Sequence, residues 1–133
     1  MRGIRRAVRD RGQAVVEFAL LLPVLIVLIM GVIDIARAYN VLQVVTNAAR
    51  EGARVAILPS STSTTVTTTV DTYLTAAGQT GCNSSGSNWG TAGAAGDSTT
   101  VTVSCTFDTL TGTLIPGWTG SFALAQTATM RHE

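Results

Sequence analysis

A single carboxylate, Glu17, lies near the start of a long apolar run. The run extends from Gly12 to Ile33, and its part from Ala19 onward contains no charged side chain. An ionised side chain at the centre of a bilayer costs about 3 kcal/mol or more, so such a residue is retained for a reason. Glu17 is therefore a candidate functional residue.

Residues that could carry catalysis or bind a metal are sparse. His132 is the only histidine, and the serines have no base partner near them in the sequence. No Gly-rich phosphate loop and no His/Cys/Asp/Glu cluster at metal-ligand spacing is present. We expect a solvated His132, no enzyme activity, no cofactor and no metal site.

The apolar run predicts a membrane-spanning helix over residues 13–33, because about 20 apolar residues cross the ~30 Å hydrocarbon core. Before it, residues 1–11 carry five arginines and a single acid, Asp10; after Gly12 there are four arginines and seven acids. By the positive-inside rule the N-terminus stays in the cytoplasm and the rest lies outside. This position makes a topological role of the basic cluster preferable to nucleic-acid binding.

The helical pattern continues past the apolar run over residues 34–58, until Pro59 ends it. Small or apolar residues recur there in alternating steps of three and four, which marks one helical face. Farther from the membrane this face is reduced to Ala49, Gly52, Ala53 and Ala56. Small residues let another backbone approach closely, so we expect the C-terminal region, a neighbouring helix or both to pack there.

Residues 59–133 predict a small Thr/Gly-rich head, which makes the fold class α+β. We expect a short helix over 64–77, a loop over 78–97, and antiparallel strands over 99–107 and 121–130. Cys82 and Cys105 fall on the outer side, where a disulfide is expected.

The entry to the apolar run resembles the processing site of type IV prepilins. In that site a basic leader ends in Gly, Glu is the fifth residue after the cut, and an aromatic residue follows. These positions are Gly12, Gln13, Glu17 and Phe18 here. The resemblance implies removal of a leader, residues 1–12, by a prepilin peptidase.

A denser resemblance covers Glu17 to Ala56, which contains "EFALLLP" and "AAREGAR". This stretch is similar to the TadE-like pseudopilins of the tight adherence (Flp, type IVc) pilus. It implies a minor pilin or pseudopilin, held by one helix in the inner membrane or incorporated in a surface pilus. Its partners would be the peptidase, membrane lipid, other pilins or pseudopilins and the assembly platform.

Cleavage would place the new amine of Gln13 about one helical turn from Glu17. Pairing of the amine with a carboxylate of the same or a neighbouring chain would offset the penalty of burying either group. An N-terminal Gln can also cyclise to pyroglutamate, which removes the charge. The alternative for Glu17 is an interfacial side chain that reaches the headgroups.

Three other interpretations stay open. "ARA", Ala36 to Ala38, could mark signal-peptidase cleavage and a secreted product that begins at Tyr39. The head could be a tethered adhesin that contacts a ligand through Trp89 or Trp118. A large-headed major pilin is the third.

Overall fold

The computed structural model describes residues 2–90, 94–113, 117 and 120–132. Two helices, α1 (Arg2–Ala56) and α2 (Ser63–Ala76), precede three strands, β1 (Cys82–Ser87), β2 (Ser98–Asp108) and β3 (Ser121–Arg131). A short 3-10 turn, Thr111–Thr113, lies between β2 and β3. The expected α+β fold, a long helix with a small head, is confirmed.

Helix α1 has two parts with different surroundings. Its portion from Gly12 to Ala56 contains a window of mean hydropathy 2.8, of which 6% is buried, long and apolar enough to cross a membrane. From Val41 onward, one side of the helix is instead buried under the head. The predicted face is therefore covered along most of its length, whereas Ile35 at its start is exposed.

Helix α2 forms one wall of the head, and its prediction over 64–77 is confirmed within one residue at each end. Thr62 caps it, since its hydroxyl accepts a hydrogen bond from the backbone N–H of Thr65 at 3.2 Å. Val66, Val70 and Leu74 are buried. Hydroxyls of Thr67, Thr69 and Thr72 donate to backbone carbonyls of the same helix, so these side chains bond within it.

The three strands form an antiparallel sheet in the order β1-β2-β3. Strand β2 has the alternation its sequence predicts, with Val101, Val103, Cys105 and Phe107 buried. Strand β3 is the second predicted strand, and its Leu124, Ala128 and Met130 pack against the core. Both strand predictions are confirmed, with each strand extended by one or two residues.

Strand β1 corrects the predicted loop over 78–97. Its sequence, Cys-Asn-Ser-Ser-Gly-Ser, lacks the β-branched and aromatic residues that favour strands. This segment pairs with β2, from Cys82 opposite Cys105 to Ser87 opposite Thr100. The pairing stabilises a strand that the local sequence does not favour. Tertiary pairing therefore decides the structure of this segment.

The sheet lies along α1, and β2 runs in the direction opposite to the helix. Val101 lies beside Gly52, while Thr111, just past the end of β2, binds Asp34. From Val101 to Asp108 the strand spans about 23 Å, and the 18 helical residues between Asp34 and Gly52 span about 27 Å. The β2–β3 connection therefore lies at the end of the head that is nearest to the apolar part of α1.

A close contact between α1 and the head lies at Gly52. A Cβ atom there would lie 2.6 Å from Val70 Cγ2 and 3.1 Å from Val101 Cγ1. Ala49, Ala53 and Ala56 beside it are buried in the same core. A helical Gly is about 1 kcal/mol less favourable than Ala, and close packing against both α2 and β2 explains its presence.

Replacement of Gly52 by Val should lower the free energy of unfolding of the head by about 1–3 kcal/mol, because the added methyl groups overpack the contact with Val70 and Val101. The measurement is urea unfolding of the full chain in detergent micelles, followed by near-UV circular dichroism. Gly31→Val is the matched control, since a Cβ at Gly31 has no neighbour within 4 Å. Equal stability of the two variants would contradict the packing role of Gly52.

Candidate assembly interface and the helix–head junction

The proposed processing and assembly residues lie on the part of α1 that projects from the head. Gly12, Gln13, Glu17 and Phe18 are all exposed and helical. A Cβ at Gly12 would have no neighbour within 4 Å. The single chain therefore leaves this segment accessible, and it brings no described part of the head to it.

The next turns of α1 present a continuous apolar surface. A shallow groove of about 350 Å³ lies along it, lined by Phe18, Leu21, Leu22, Val24, Leu25 and Leu28. Pro23 lies within this stretch, and its missing N–H leaves one helical carbonyl without its usual partner. Such a surface is suited to lipid chains or to the helices of other subunits.

The small-residue face lies in the part of α1 that the head covers. Ala49, Gly52, Ala53 and Ala56 are buried by α2 and the sheet of the same chain. The sequence predicts that the C-terminal region, a neighbouring helix or both pack on this face. The structure shows the C-terminal head there.

Asp34 joins the head to α1 at the end of the apolar run. Its side chain accepts hydrogen bonds from the backbone N–H of Leu110 and of Thr111, both at 2.9 Å, and from the Thr111 hydroxyl at 2.8 Å. Arg37, one helical turn later, donates to the same carboxylate at 3.2 Å. Both carboxylate oxygens are thus used, and Asp34 is only 5% exposed.

Arg37 extends this junction towards the sheet. Its guanidinium lies over the Phe107 ring, 5.2 Å from the ring centroid, which is the geometry of a cation–π contact. Phe107 in turn packs against Phe122 of β3, with the ring centroids 5.2 Å apart. Half of the Arg37 side chain is nonetheless exposed. The junction therefore combines a hydrogen-bonded carboxylate, a half-exposed arginine side chain and a pair of aromatic rings.

The pKa of Asp34 reflects two opposed effects. Burial by itself raises the pKa of this carboxyl, whereas hydrogen bonds from the Thr111 and Leu110 backbone and from the Thr111 hydroxyl, with the charge of Arg37, lower it. The second group prevails, and the pKa lies below its ordinary value. Asp34 is therefore held as a carboxylate.

Sequence reasoning missed the role of Asp34. The available signal was its position, since it is the first charged residue after the apolar run and stands three residues before Arg37. Its partners, Leu110 and Thr111, are 76 and 77 residues away in sequence. A local pattern does not report a contact at that separation.

Cys82 and Cys105 form a disulfide that joins the edge strand β1 to β2. The expected bridge is thus confirmed, between residues that also pair in the sheet register. Closing a loop of this separation, 23 residues, stabilises a fold by about 3 kcal/mol in the chain-entropy model. The bridge holds in place the strand whose own sequence favours it least.

His132 corrects an expectation, because it is 7% exposed rather than solvated. Its Nε2 lies 2.5 Å from the Thr99 hydroxyl and 2.9 Å from the Asn88 carbonyl oxygen. The Thr99 hydroxyl also donates to that carbonyl, at 2.9 Å. The backbone of His132 continues the β2–β3 pairing by donating to Asp97. His132 therefore has a structural role at the far end of the head.

Trp89 is likewise part of the fold. Its indole N–H donates to the Thr100 carbonyl at 2.8 Å, and its ring packs against the core and over Gly86. Trp118 lies outside the described residues. Within those residues, no group of three or more His, Cys, Asp or Glu side chains is placed to hold a metal ion.

Replacement of Asp34 by Asn should destabilise the folded head at neutral pH, because the amide NH₂ then faces N–H donors of Leu110, Thr111 or Arg37. The folded pKa of Asp34 lies below the unfolded value of about 3.9. Its carboxylate therefore stabilises the fold above that pH, and this contribution is lost as the pH falls through the folded pKa. The difference in unfolding free energy between wild type and Asp34→Asn should shrink in acid.

Urea unfolding of the full chain in micelles, repeated from neutral pH to about pH 3, measures this difference. Asp71→Asn is the control, since Asp71 is exposed on α2. A wild-type advantage over Asp34→Asn that does not change with pH would contradict the assigned role of the carboxylate.

Comparison with known protein families gives a match over part of α1. Residues 12–54 match the protein family described as TadE-like protein. No curated protein and no solved structure matches the chain. The matched segment begins at Gly12, includes Glu17 and the apolar surface, contains Asp34 and Arg37, and ends within the small-residue face. Residues 12–54, about a third of the chain, are thus similar to TadE-like proteins.

Proposed function

We propose that this protein is a minor pilin or pseudopilin that takes part in assembly of a tight adherence (Flp, type IVc) pilus. The similarity of residues 12–54 to the TadE-like family supports association with that pilus system. The more specific role rests on one observation: the matched helix projects from the head with its apolar surface uncovered. The head of residues 59–133 is far larger than the short tail of a one-helix pilin.

In this proposal a prepilin peptidase cuts between Gly12 and Gln13, and residues 13–33 then anchor the protein in the inner membrane with the head outside. The exposed position of Gly12 supports access by the peptidase. The five arginines of the leader support a cytoplasmic N-terminus. Other pilins and the assembly platform would contact α1 where the head does not cover it.

The arrangement of the junction argues against signal-peptidase cleavage after Ala38. Such a cut would separate Asp34 from Leu110 and Thr111, and Arg37 from Phe107. It would also divide a continuous helix whose Ala38 packs against the core. The head thus uses residues that a product beginning at Tyr39 would lack.

The adhesin alternative receives no support from Trp89, because this side chain is occupied within the fold. A major pilin would share the architecture of the proposed accessory subunit and would differ from it in abundance. Immunogold labelling of sheared pili, compared with membrane fractions, distinguishes a bulk subunit from an accessory one.

Mass spectrometry of the protein purified from membranes should show loss of residues 1–12 from the 13.8 kDa chain. The variant Gly12→Val should retain the leader, because the peptidase needs an unhindered residue before the cut. Gly31→Val, elsewhere on the exposed part of α1, should be processed normally. A mature protein that begins at Tyr39 would contradict the proposal and support secretion.

Replacement of Glu17 by Gln should leave processing intact but reduce recovery of the protein with other pilus subunits, because the amine of Gln13 then lacks a carboxylate partner. Crosslinking in membranes followed by mass spectrometry of the captured subunits measures this effect. Glu51→Gln is the control, since Glu51 forms only an exposed ion pair with Arg54 at 3.4 Å.

The same samples test the ion pair itself. Complete cyclisation of Gln13 to pyroglutamate in the native protein would rule out pairing of its amine with Glu17. Capture of pilus subunits that is unaffected by Glu17→Gln would instead support a residue that only reaches the headgroups.

A further inference from the structure

We propose that the base of the head, and not only the helix, docks on the outer surface of the membrane. The base is defined by Leu110 and Phe122 of the head with Ile35, Arg37 and Tyr39 of α1. This inference rests on the proposed function, in which residues 13–33 cross the membrane. Its partner is the headgroup layer of the leaflet into which α1 emerges.

The hydrogen bonds of Asp34 set the height of the base above the membrane. Residues 13–33 span about 31 Å as a helix, which matches the hydrocarbon core, so Asp34 lies at its outer boundary. The headgroup layer extends about 5–7 Å beyond that boundary. Because the Leu110 N–H is 2.9 Å from a carboxylate oxygen of Asp34, Leu110 lies within this layer.

Phe122 lies somewhat farther from the hydrocarbon core than Leu110. Arg37 is three residues after Asp34, a rise of about 4.5 Å, and it covers Phe107, which contacts Phe122. Phe122 also pairs with Phe107 in the sheet register, at the start of β3. The chain of contacts from Asp34 therefore places Phe122 at the upper part of the headgroup layer.

The composition of the base fits this environment. Leu110 and Phe122 are 41% and 43% exposed, and Ile35 and Tyr39 are exposed as well. Apolar and aromatic side chains together with an arginine are typical of the boundary between acyl chains and headgroups. Farther along β3, the exposed side chains are instead Ala125, Thr127, Thr129 and Arg131. Phe122, at the membrane end of β3, is thus the large apolar side chain that this strand exposes.

The same arrangement explains why an acid is tolerated at this depth. All four donors to the Asp34 carboxylate come from the protein, so the group does not depend on bulk water for its hydration. The loop that supplies three of these donors is also the loop that carries Leu110. The same loop therefore donates hydrogen bonds to Asp34 and places the base on the lipid surface.

Spin labels at the base test the proposal in the full chain. Leu110→Cys and Phe122→Cys are labelled separately in proteoliposomes of phosphatidylethanolamine and phosphatidylglycerol; the native cysteines are held in their disulfide. The measurement is the ratio of label accessibility to oxygen, which partitions into lipid, over accessibility to a water-soluble nickel chelate. Thr129→Cys, exposed at the other end of β3, is the aqueous control.

We expect ratios at positions 110 and 122 that are several-fold higher than the ratio at 129. Ratios equal to that at 129 would overturn the proposal, and so would labels shielded from both reagents, which would indicate a protein contact. A label at Leu25→Cys distinguishes failure of the docking proposal from failure of the proposed membrane anchor. A lipid-exposed label at 25 with aqueous labels at 110 and 122 refutes docking alone, whereas an aqueous label at 25 refutes the membrane anchor itself.

Discussion

The carboxylate of Asp34 determines where the head lies on the long helix. Packing at Gly52 fixes α2 and β2 against one end of the shared segment, and Asp34 fixes the β2–β3 connection at the other. The first contact is apolar and has no directional requirement, whereas the hydrogen bonds of 2.8–2.9 Å from two backbone N–H groups and a hydroxyl are directional. Together they align the sheet with α1 and give the head a definite base.

Local patterns were sufficient to predict the helices and the two long strands. Spacings of three and four predict α1 and α2, and the alternation from Val101 to Phe107 predicts β2, because each pattern records which side of one element is buried. Strand β1, His132 and Asp34 were not predicted. Their structure depends on partners distant in sequence, namely β2, Thr99 and Leu110–Thr111. The processing motif was identified from its resemblance to prepilins, because no periodicity of side chains predicts it.

The small-residue face illustrates how a correct local inference can leave the partner undetermined. Gly52 and the alanines around it indicate close approach of another backbone, and the structure shows α2 and β2 of the same chain there. A Cβ at Gly52 would already be too close to Val70, so a helix from another subunit has no room on this face. Another helix that packed on α1 would therefore use its apolar part or the exposed side of its upper part. The family match extends over both parts of the helix although they have different neighbours.

The two acids that flank the apolar run have opposite environments. Asp34 is satisfied by its own chain, with four donors around its carboxylate. Glu17 is exposed, and the described side chains provide it with no such donors. A carboxylate that enters the membrane in this state requires a cation or donor from outside the folded unit. In the proposed function that group is the amine created at Gln13 by leader removal, so processing would generate the partner that the fold itself does not supply.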